Sequence, residues 1–136
     1  RIAKWKKIFP TIMKAKEPSN FEALDLDKEL VIIKKGMEMA VNSEIGTAFS
    51  NRIVNQKLSM AGKTGTSQVI SKRHDNDDLS KANIVKKIRN HGIFVSYAPL
   101  INPEYAFCGI IEHGGTPSLA VKIANELLTE AQLRNI

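Results

Sequence analysis

Residues 58–70 read Leu-Ser-Met-Ala-Gly-Lys-Thr-Gly-Thr-Ser-Gln-Val-Ile, and the fold prediction starts from them. The central Gly62-Lys63-Thr64-Gly65-Thr66 lies between apolar and β-prone residues, which predicts a strand from about Leu58 to Ile70. Such a strand presents an ammonium group, two hydroxyls and unhindered backbone amides, which an anionic, acyl-bearing substrate requires. Gly65 predicts that a backbone or a ligand comes close at that point of the strand.

The same stretch has two other interpretations. Gly62-Lys63-Thr64 matches the end of a phosphate-binding loop, but the first glycine of that pattern would fall at position 57, which is Lys57. A phosphate-binding loop also requires a helix after the lysine, whereas β-branched residues and a glycine follow here. The second alternative is a tight turn that happens to contain a lysine.

The length and composition indicate one globular unit. A chain of 136 residues can form one modest core, and 43% hydrophobic with 25% charged residues is ordinary for a globular domain. No apolar run approaches the roughly 18–20 residues that a membrane span needs. The sequence opens on Arg1 without a signal peptide, so we expect it to be part of a longer protein.

The net charge of +6 is concentrated at the beginning of the chain. Residues 1–16 contain six basic residues and no acidic one, with Trp5 among them. Such a segment binds nucleic acid or an anionic membrane surface in some proteins. We favour a solvated segment that packs against protein outside this chain, and no nucleic acid is expected as a partner because no nucleic-acid-binding motif is present. Residues 1–26 are predicted to be irregular, since Pro10 and Pro18 interrupt any helix.

No metal site or cofactor is predicted. His74, His91 and His113 do not have the spacing of metal ligands, and the acidic loop after residue 71 lacks the glycine and glutamate of a calcium loop. Cys108 lies in an apolar strand-like run, so we expect it to be a buried hydrophobic residue without a disulfide partner.

The remaining pattern predicts an α+β fold in which helices cover three adjacent antiparallel strands. A first helix is predicted from Asp27 to about Val41, and a short one from Asn83 to Asn90. Strands at 91–98 and 104–112 are close enough to form a hairpin. Thr116 is predicted to cap the last helix, which runs to about Leu133 with Pro117 at its first position. The predicted inward-facing residues are Leu30, Ile33, Met37, Ala40 and Val41 in the first helix, Ile84, Val85 and Ile88 in the short one, and Leu119, Ala120, Ile123, Ala124, Leu127 and Leu128 in the last.

Several stretches together resemble the C-terminal part of the transpeptidase domain of class B penicillin-binding proteins. Lys63-Thr64-Gly65 matches one of the three signature motifs of penicillin-binding proteins and class A β-lactamases. The other matching stretches are Lys35-Gly36-Met37, Ile45-Gly46-Thr47-Ala48, Phe94 to Pro99, Pro103 to Phe107 and Glu112 to Gly115. The insertion Ile84 to His91 most resembles the penicillin-binding protein 2 subfamily of the elongation machinery. The resemblance implies that residues 27–136 are the C-terminal part of a penicillin-binding-protein/β-lactamase-like fold, with the motif on the third strand of its sheet.

The resemblance also implies an activity and roles for individual residues. It implies a peptidoglycan D,D-transpeptidase that acts on stem peptides ending in D-Ala-D-Ala through an acyl-serine and is inhibited by β-lactams. Lys63 and Thr66 would be catalytic, the first through its ammonium group and the second through a backbone N–H of the oxyanion hole. The hydroxyls of Thr64 and Thr66 would bind the substrate carboxylate, and Gly65 would leave room for the acyl group.

The chain departs from the family in one respect. No serine has a lysine three residues later or an asparagine two residues later, so the S-x-x-K and S-x-N motifs are not in these 136 residues. We therefore expect the nucleophile and the membrane anchor to lie upstream, and this chain alone to be inactive. The resemblance further implies a membrane glycan polymerase as partner and a location on the periplasmic face of the bacterial inner membrane. Two other classes remain open: a non-catalytic peptide- or carboxylate-binding module, and a nucleic-acid or membrane-surface binder using its basic segment.

Overall fold

The computed structural model describes residues 6–7, 22–23, 27–69 and 89–134. Two short strands come first in the chain, and a helix, a single 3₁₀ turn, three longer strands and a second helix follow. In chain order these are β1 (Lys6–Lys7), β2 (Glu22–Ala23), α1 (Asp27–Asn42), the 3₁₀ turn (Phe49–Asn51), β3 (Ala61–Ser67), β4 (His91–Ala98), β5 (Tyr105–Ile111) and α2 (Ser118–Leu133). No helix among these residues is long and apolar enough to cross a membrane.

The main sheet is antiparallel with the strand order β3-β4-β5, as predicted. The register places Lys63 beside Val95, and Val95 beside Cys108. The motif strand is shorter than the predicted 58–70, because its partner β4 ends at Ala98 and the following Pro99 has no N–H to extend the ladder. Leu58 instead donates its backbone N–H to Asn55 in a turn.

Both helices pack against this sheet, α1 against β3 and α2 against β4 and β5. The largest fully buried side chains are Phe94, Met60, Val41 and Val121. The prediction for α2 was partly wrong, since Leu119 is 51% exposed and Leu127 is 56% exposed. The helix contacts the sheet along one stripe, and these two leucines lie beside that stripe; its buried members are Ala120, Val121, Ala124, Leu128 and Gln132.

The inner face of α1 is also narrower than predicted. Leu30 and Val41 are buried, whereas Ile33 is 43% exposed and Met37 and Ala40 are half-buried. The three less buried side chains line an open groove, described below, in place of a closed contact. The apolar residues of α1 therefore serve two purposes: some are buried in the core, and the others form one wall of the groove.

The predicted cap of α2 was wrong. Pro117 occupies the N-cap position, in a helical conformation, and makes no side-chain cap hydrogen bond. The backbone of Thr116 instead packs on Gly92, where an added Cβ would lie 2.1 Å from the Thr116 carbonyl oxygen. The position of Thr116 is therefore determined by the close packing of its backbone on Gly92. The Thr-Pro sequence pattern that predicted a helix cap does not indicate this contact.

Cys108 is exposed, which contradicts its prediction as a buried residue. Side chains alternate between the two faces of β5, so Phe107 and Ile111 pack against the core while Cys108 and Ile110 point to the opposite face. In the part of the chain that the structure describes, no helix covers Cys108. Its apolar neighbours indicated a strand but not which face of the strand is covered.

The beginning of the chain also differs from its prediction as an irregular segment. β1 and β2 form a short antiparallel ladder, in which Lys6 pairs with Ala23 and Lys7 with Glu22. The prediction rested on Pro10 and Pro18, and proline interrupts a helix without preventing other residues from pairing as strands. The predicted short helix at 83–90 lies outside the described residues up to position 88.

Tyr97 gives the fold a pH dependence. Burial, and secondly the negative charge of Glu38, raises the pKa of the Tyr97 phenol above its ordinary value. Above the unfolded-state pKa of about 10, the unfolded chain loses this proton before the folded chain does, so the free energy of unfolding falls as pH rises toward the folded-state pKa. We expect urea unfolding between pH 9 and pH 11 to show this decrease, and Tyr97→Phe to reduce it. Identical pH profiles for the two proteins would contradict the assignment.

Candidate active site

β3 is an edge strand of the described sheet: it pairs with β4 on one side, and α1 packs against it. Successive side chains of a strand point to opposite faces. Lys63 and Gly65 therefore start on one face, and Thr64 and Thr66 on the other. One ligand can therefore contact all four motif residues only at the unpaired edge of β3, which lies between the two faces.

The Lys63 side chain is exposed and bends back to this edge. Its Nζ donates to the backbone carbonyl oxygen of Thr64 at 2.7 Å. Among the described residues no carboxylate lies within ion-pair distance of this ammonium group. The positive charge at the strand edge is thus available to an anion.

Thr64 is 8% exposed, and its hydroxyl is held by a residue from another part of the chain. The hydroxyl oxygens of Thr47 and Thr64 are 2.8 Å apart, so one donates to the other. Thr47 is itself exposed. The contact places a second hydroxyl beside the motif.

Thr47 belongs to a tight turn that is fastened to α1. The backbone N–H of Ala48 donates to the Ala40 carbonyl at 2.9 Å, and that of Gly46 donates to the Ser43 carbonyl at 2.8 Å. A Cβ at Gly46 would lie 2.6 Å from the Ala40 oxygen, so only glycine permits this approach. Asn42 joins the same region to the residues before β3 by donating to the Met60 carbonyl at 3.1 Å.

The two glycines of the motif have different environments. An added Cβ at Gly62 would lie 2.3 Å from the Phe94 ring, so Gly62 is required for packing within this chain. At Gly65 the nearest atom to an added Cβ is the Ile93 Cβ at 3.4 Å. An added Cβ at Gly65 would thus make only ordinary contacts with Ile93, and no backbone of the described residues makes the close approach predicted there.

Thr66 lies two residues beyond Thr64, about 7 Å along the strand. Its side chain is exposed, and its partner in β4 is Gly92. The structure thus puts the Lys63 ammonium next to Thr64 and leaves Thr66 separate, with its hydroxyl accessible.

A groove of about 670 Å³ opens beside Lys63, between α1, the turn and the sheet. Its walls are almost entirely apolar, with the Lys63 side chain on one of them. The lining residues are Ile33, Gly36, Met37, Met39, Ala40, Ser43, Ile45, Gly46, Thr47, Lys63 and Val95. A ligand in this groove would meet one cation and an apolar surface.

Sequence reasoning selected Lys63, Thr64, Gly65 and Thr66 but assigned no chemical role to Thr47. The Ile45-Gly46-Thr47-Ala48 stretch matches the family but does not itself indicate a role for its threonine. Its contact with Thr64 spans 17 positions, and no local spacing reports such a contact. A short Gly-Thr sequence after an amphipathic helix was the available signal, and it is too common to identify a site.

Comparison with solved structures confirms the fold. Penicillin-binding protein 2 in its complex with MreC from Helicobacter pylori superposes with a TM-score of 0.76, at 23% identity, over 99% of this chain and 23% of that one. Its similarity covers the antiparallel strands and the helices described above. At this level of identity the comparison shows the fold alone.

Curated relatives show a similarity in sequence as well. Peptidoglycan D,D-transpeptidase MrdA of Escherichia coli (strain K12) is 28% identical over 102 residues, which are 75% of this chain and 16% of the relative. MrdA of Acinetobacter baumannii is 31% identical over 102 residues, 72% of this chain and 14% of the relative. The chain thus spans about a sixth of the length of the curated relatives it matches.

A family model covers nearly the whole chain. Residues 7–130 match the penicillin binding protein transpeptidase domain, and this range contains the motif strand, the hairpin, α1 and most of α2. The relatives and the superposed structure agree with this match in sequence and in fold. The chain therefore belongs to the penicillin-binding protein transpeptidase domain family.

Proposed function

We propose that this chain is the C-terminal part of the transpeptidase domain of a peptidoglycan D,D-transpeptidase. The observation that carries the proposal is the Lys63 ammonium at the free edge of β3, within 2.7 Å of the Thr64 carbonyl and beside an open groove. Membership of the family and the named activity of the MrdA relatives support it. The Lys-Thr-Gly motif then forms one wall of an active site whose other walls lie outside these residues.

The proposed reaction is acyl transfer through serine. The hydroxyl oxygen of a serine outside this chain attacks the carbonyl of the penultimate D-alanine, and the terminal D-alanine leaves with its amino group. An amine of a neighbouring stem peptide then attacks the ester and releases the serine. β-Lactams acylate the same serine by ring opening. This chain alone contributes no nucleophile, so we expect it to be inactive by itself.

Each motif residue has a role in this scheme. The Lys63 ammonium attracts the anionic substrate and orders the hydrogen bonds around the serine. The Thr64 and Thr66 hydroxyls donate to the terminal carboxylate, which is an acceptor only. The Thr66 backbone N–H is one donor of the oxyanion hole, where losing a single donor typically costs about 10²–10³ in rate. Gly65 leaves space for the acyl group.

The elongation type is a further proposal. It is supported by the MrdA relatives and by the similarity to penicillin-binding protein 2. The proposed partners are a membrane glycan polymerase and, by analogy with the Helicobacter pylori complex, a protein of the MreC kind. The proposed location is the periplasmic face of the bacterial inner membrane, with the anchor upstream of this segment.

Covalent labelling of the full-length protein tests the proposed reaction. A fluorescent penicillin should give a band that survives denaturing electrophoresis, and prior incubation with unlabelled penicillin should remove it. The expected band reflects an acyl-serine, because a non-covalent complex does not survive denaturation. A well-folded protein that gives no covalent band would refute the transpeptidase proposal and favour a non-catalytic peptide-binding module.

A further inference from the structure

Thr47 lies 17 residues before Thr64 in the chain, yet the two hydroxyl oxygens are only 2.8 Å apart. We propose that Thr47 is a positioning residue, which donates its hydroxyl proton to Thr64 and so leaves the Thr64 proton to be given to the substrate carboxylate. The inference rests on the proposed transpeptidase function. It adds to the Lys-Thr-Gly-Thr motif a residue from the turn after α1.

The direction of this hydrogen bond follows from counting protons. Each threonine hydroxyl has one proton and can accept at two lone pairs. A carboxylate only accepts, so it can bind the Thr64 oxygen only through the Thr64 proton. Thr64 cannot give that proton to Thr47 at the same time. Binding of a carboxylate at Thr64 therefore makes Thr47 the donor of the pair, and a chain of two hydroxyls that ends on a charge strengthens both bonds.

The surroundings of Thr64 make this partner important. Thr64 is 8% exposed, so water has little access to replace a lost hydrogen bond. Within the described ranges, Thr47 is the side chain that bonds the Thr64 hydroxyl. Without it the Thr64 hydroxyl would rotate toward other acceptors, and the proton would no longer be fixed toward the ligand.

The turn holds Thr47 firmly enough for this role. Ala48 is buried and bonded through its N–H to the Ala40 carbonyl, directly after Thr47. The Gly46 backbone contacts α1 so closely that no side chain fits there. The Asn42 amide joins α1 to the Met60 carbonyl, one residue before β3. The turn and the residue before the motif strand are thus both bonded to α1, which fixes the geometry of the hydroxyl pair before a ligand arrives.

The test uses the full-length protein and two acylating agents, penicillin with its free carboxylate and the methyl ester of the same penicillin. Thr47→Val keeps the shape of the side chain but removes the hydroxyl. This variant is expected to slow acylation by the free acid by about tenfold, which is the effect of losing one hydrogen bond to a charged group. The slower acylation by the ester should remain nearly unchanged. Thr47→Ser should restore most of the rate.

Two further variants identify the route of the effect. In a Thr64→Ala background, Thr47→Val should add little, because the residue through which it acts is gone. Thr129→Val is the matched control, since Thr129 also donates its hydroxyl to a side chain, that of Asn125 at 3.1 Å, but on α2. This control should label as fast as the wild type.

The outcomes separate this inference from the proposed function. The positioning role alone would be overturned if the wild type is acylated and Thr47→Val is acylated just as fast. It would also be overturned if Thr47→Val slows the reactions of the free acid and of the ester by the same factor. Full additivity with Thr64→Ala would do the same, because it shows independent structural effects. A folded wild type that is not acylated would remove the proposed function and this inference with it.

Discussion

Replacing Lys63 by alanine in the full-length protein is expected to slow acylation by penicillin by about 10²–10³-fold, the typical cost of losing one electrostatic contact to the transition state. The Lys63 side chain is exposed, and the hydrogen bond found for it within the described residues goes to the Thr64 carbonyl. Removal of an exposed side chain usually changes the free energy of unfolding by less than about 0.5 kcal/mol. We therefore expect a large loss of labelling with little loss of stability.

A matched control for this prediction is Lys57→Ala. Lys57 is also exposed and lies shortly before the motif strand, but outside the groove beside Lys63. Its replacement should leave the labelling rate unchanged, which separates the position of the charge from the net charge of the protein. Labelling rates would be compared with urea unfolding curves for each variant. A parallel loss of acylation and stability in Lys63→Ala would show that the lysine is structural.

Replacing Phe94 by alanine is expected to lower the free energy of unfolding by about 3–5 kcal/mol, as for other large aromatic side chains in cores. Phe94 is completely buried in the central strand β4, between Thr64 in β3 and Gly109 in β5. Its ring occupies the space that a side chain at position 62 would need. A domain is typically stable by only about 5–15 kcal/mol, so this loss is a large part of the total.

Urea unfolding of the 136-residue chain, followed by circular dichroism, measures the effect of Phe94→Ala. Val95→Ala is the control, because Val95 is the next residue of the same strand, points to the other face and is 39% exposed. It should cost less than about 1 kcal/mol. Similar losses for the two variants would contradict the identification of the core face. In the full-length protein, Phe94→Ala should reduce labelling together with stability, unlike Lys63→Ala.

The sequence predicted the elements well where local chemistry determines them. The strands at 91–98 and 105–111 follow from their β-branched and aromatic residues and the short connection between them. The helix at 27–42 follows from its helical period. The motif strand was placed correctly but made too long, since its ends depend on where the partner β4 stops.

Errors arose where a residue's environment depends on distant parts of the chain. Leu119, Leu127 and Cys108 are of types that are usually buried, but no element among the described residues covers them. The period of a helix or strand specifies which residues share a face, and says nothing about whether another element covers that face. The same limit applies to Gly62, whose need for glycine comes from the Phe94 ring across the sheet.

The sequence by itself determined the family, the α+β order of elements and the four residues of the motif, because each of these is encoded in short runs of neighbouring residues. Only the tertiary structure decided that the Lys63 ammonium bonds the Thr64 carbonyl and that Thr47 meets Thr64. It also decided that the Phe94 ring excludes a side chain at position 62, whereas Ile93 is only in ordinary contact distance of position 65. Most of these facts are contacts between residues far apart in the chain. They depend on how the helices pack on the sheet, and no local pattern contains that information.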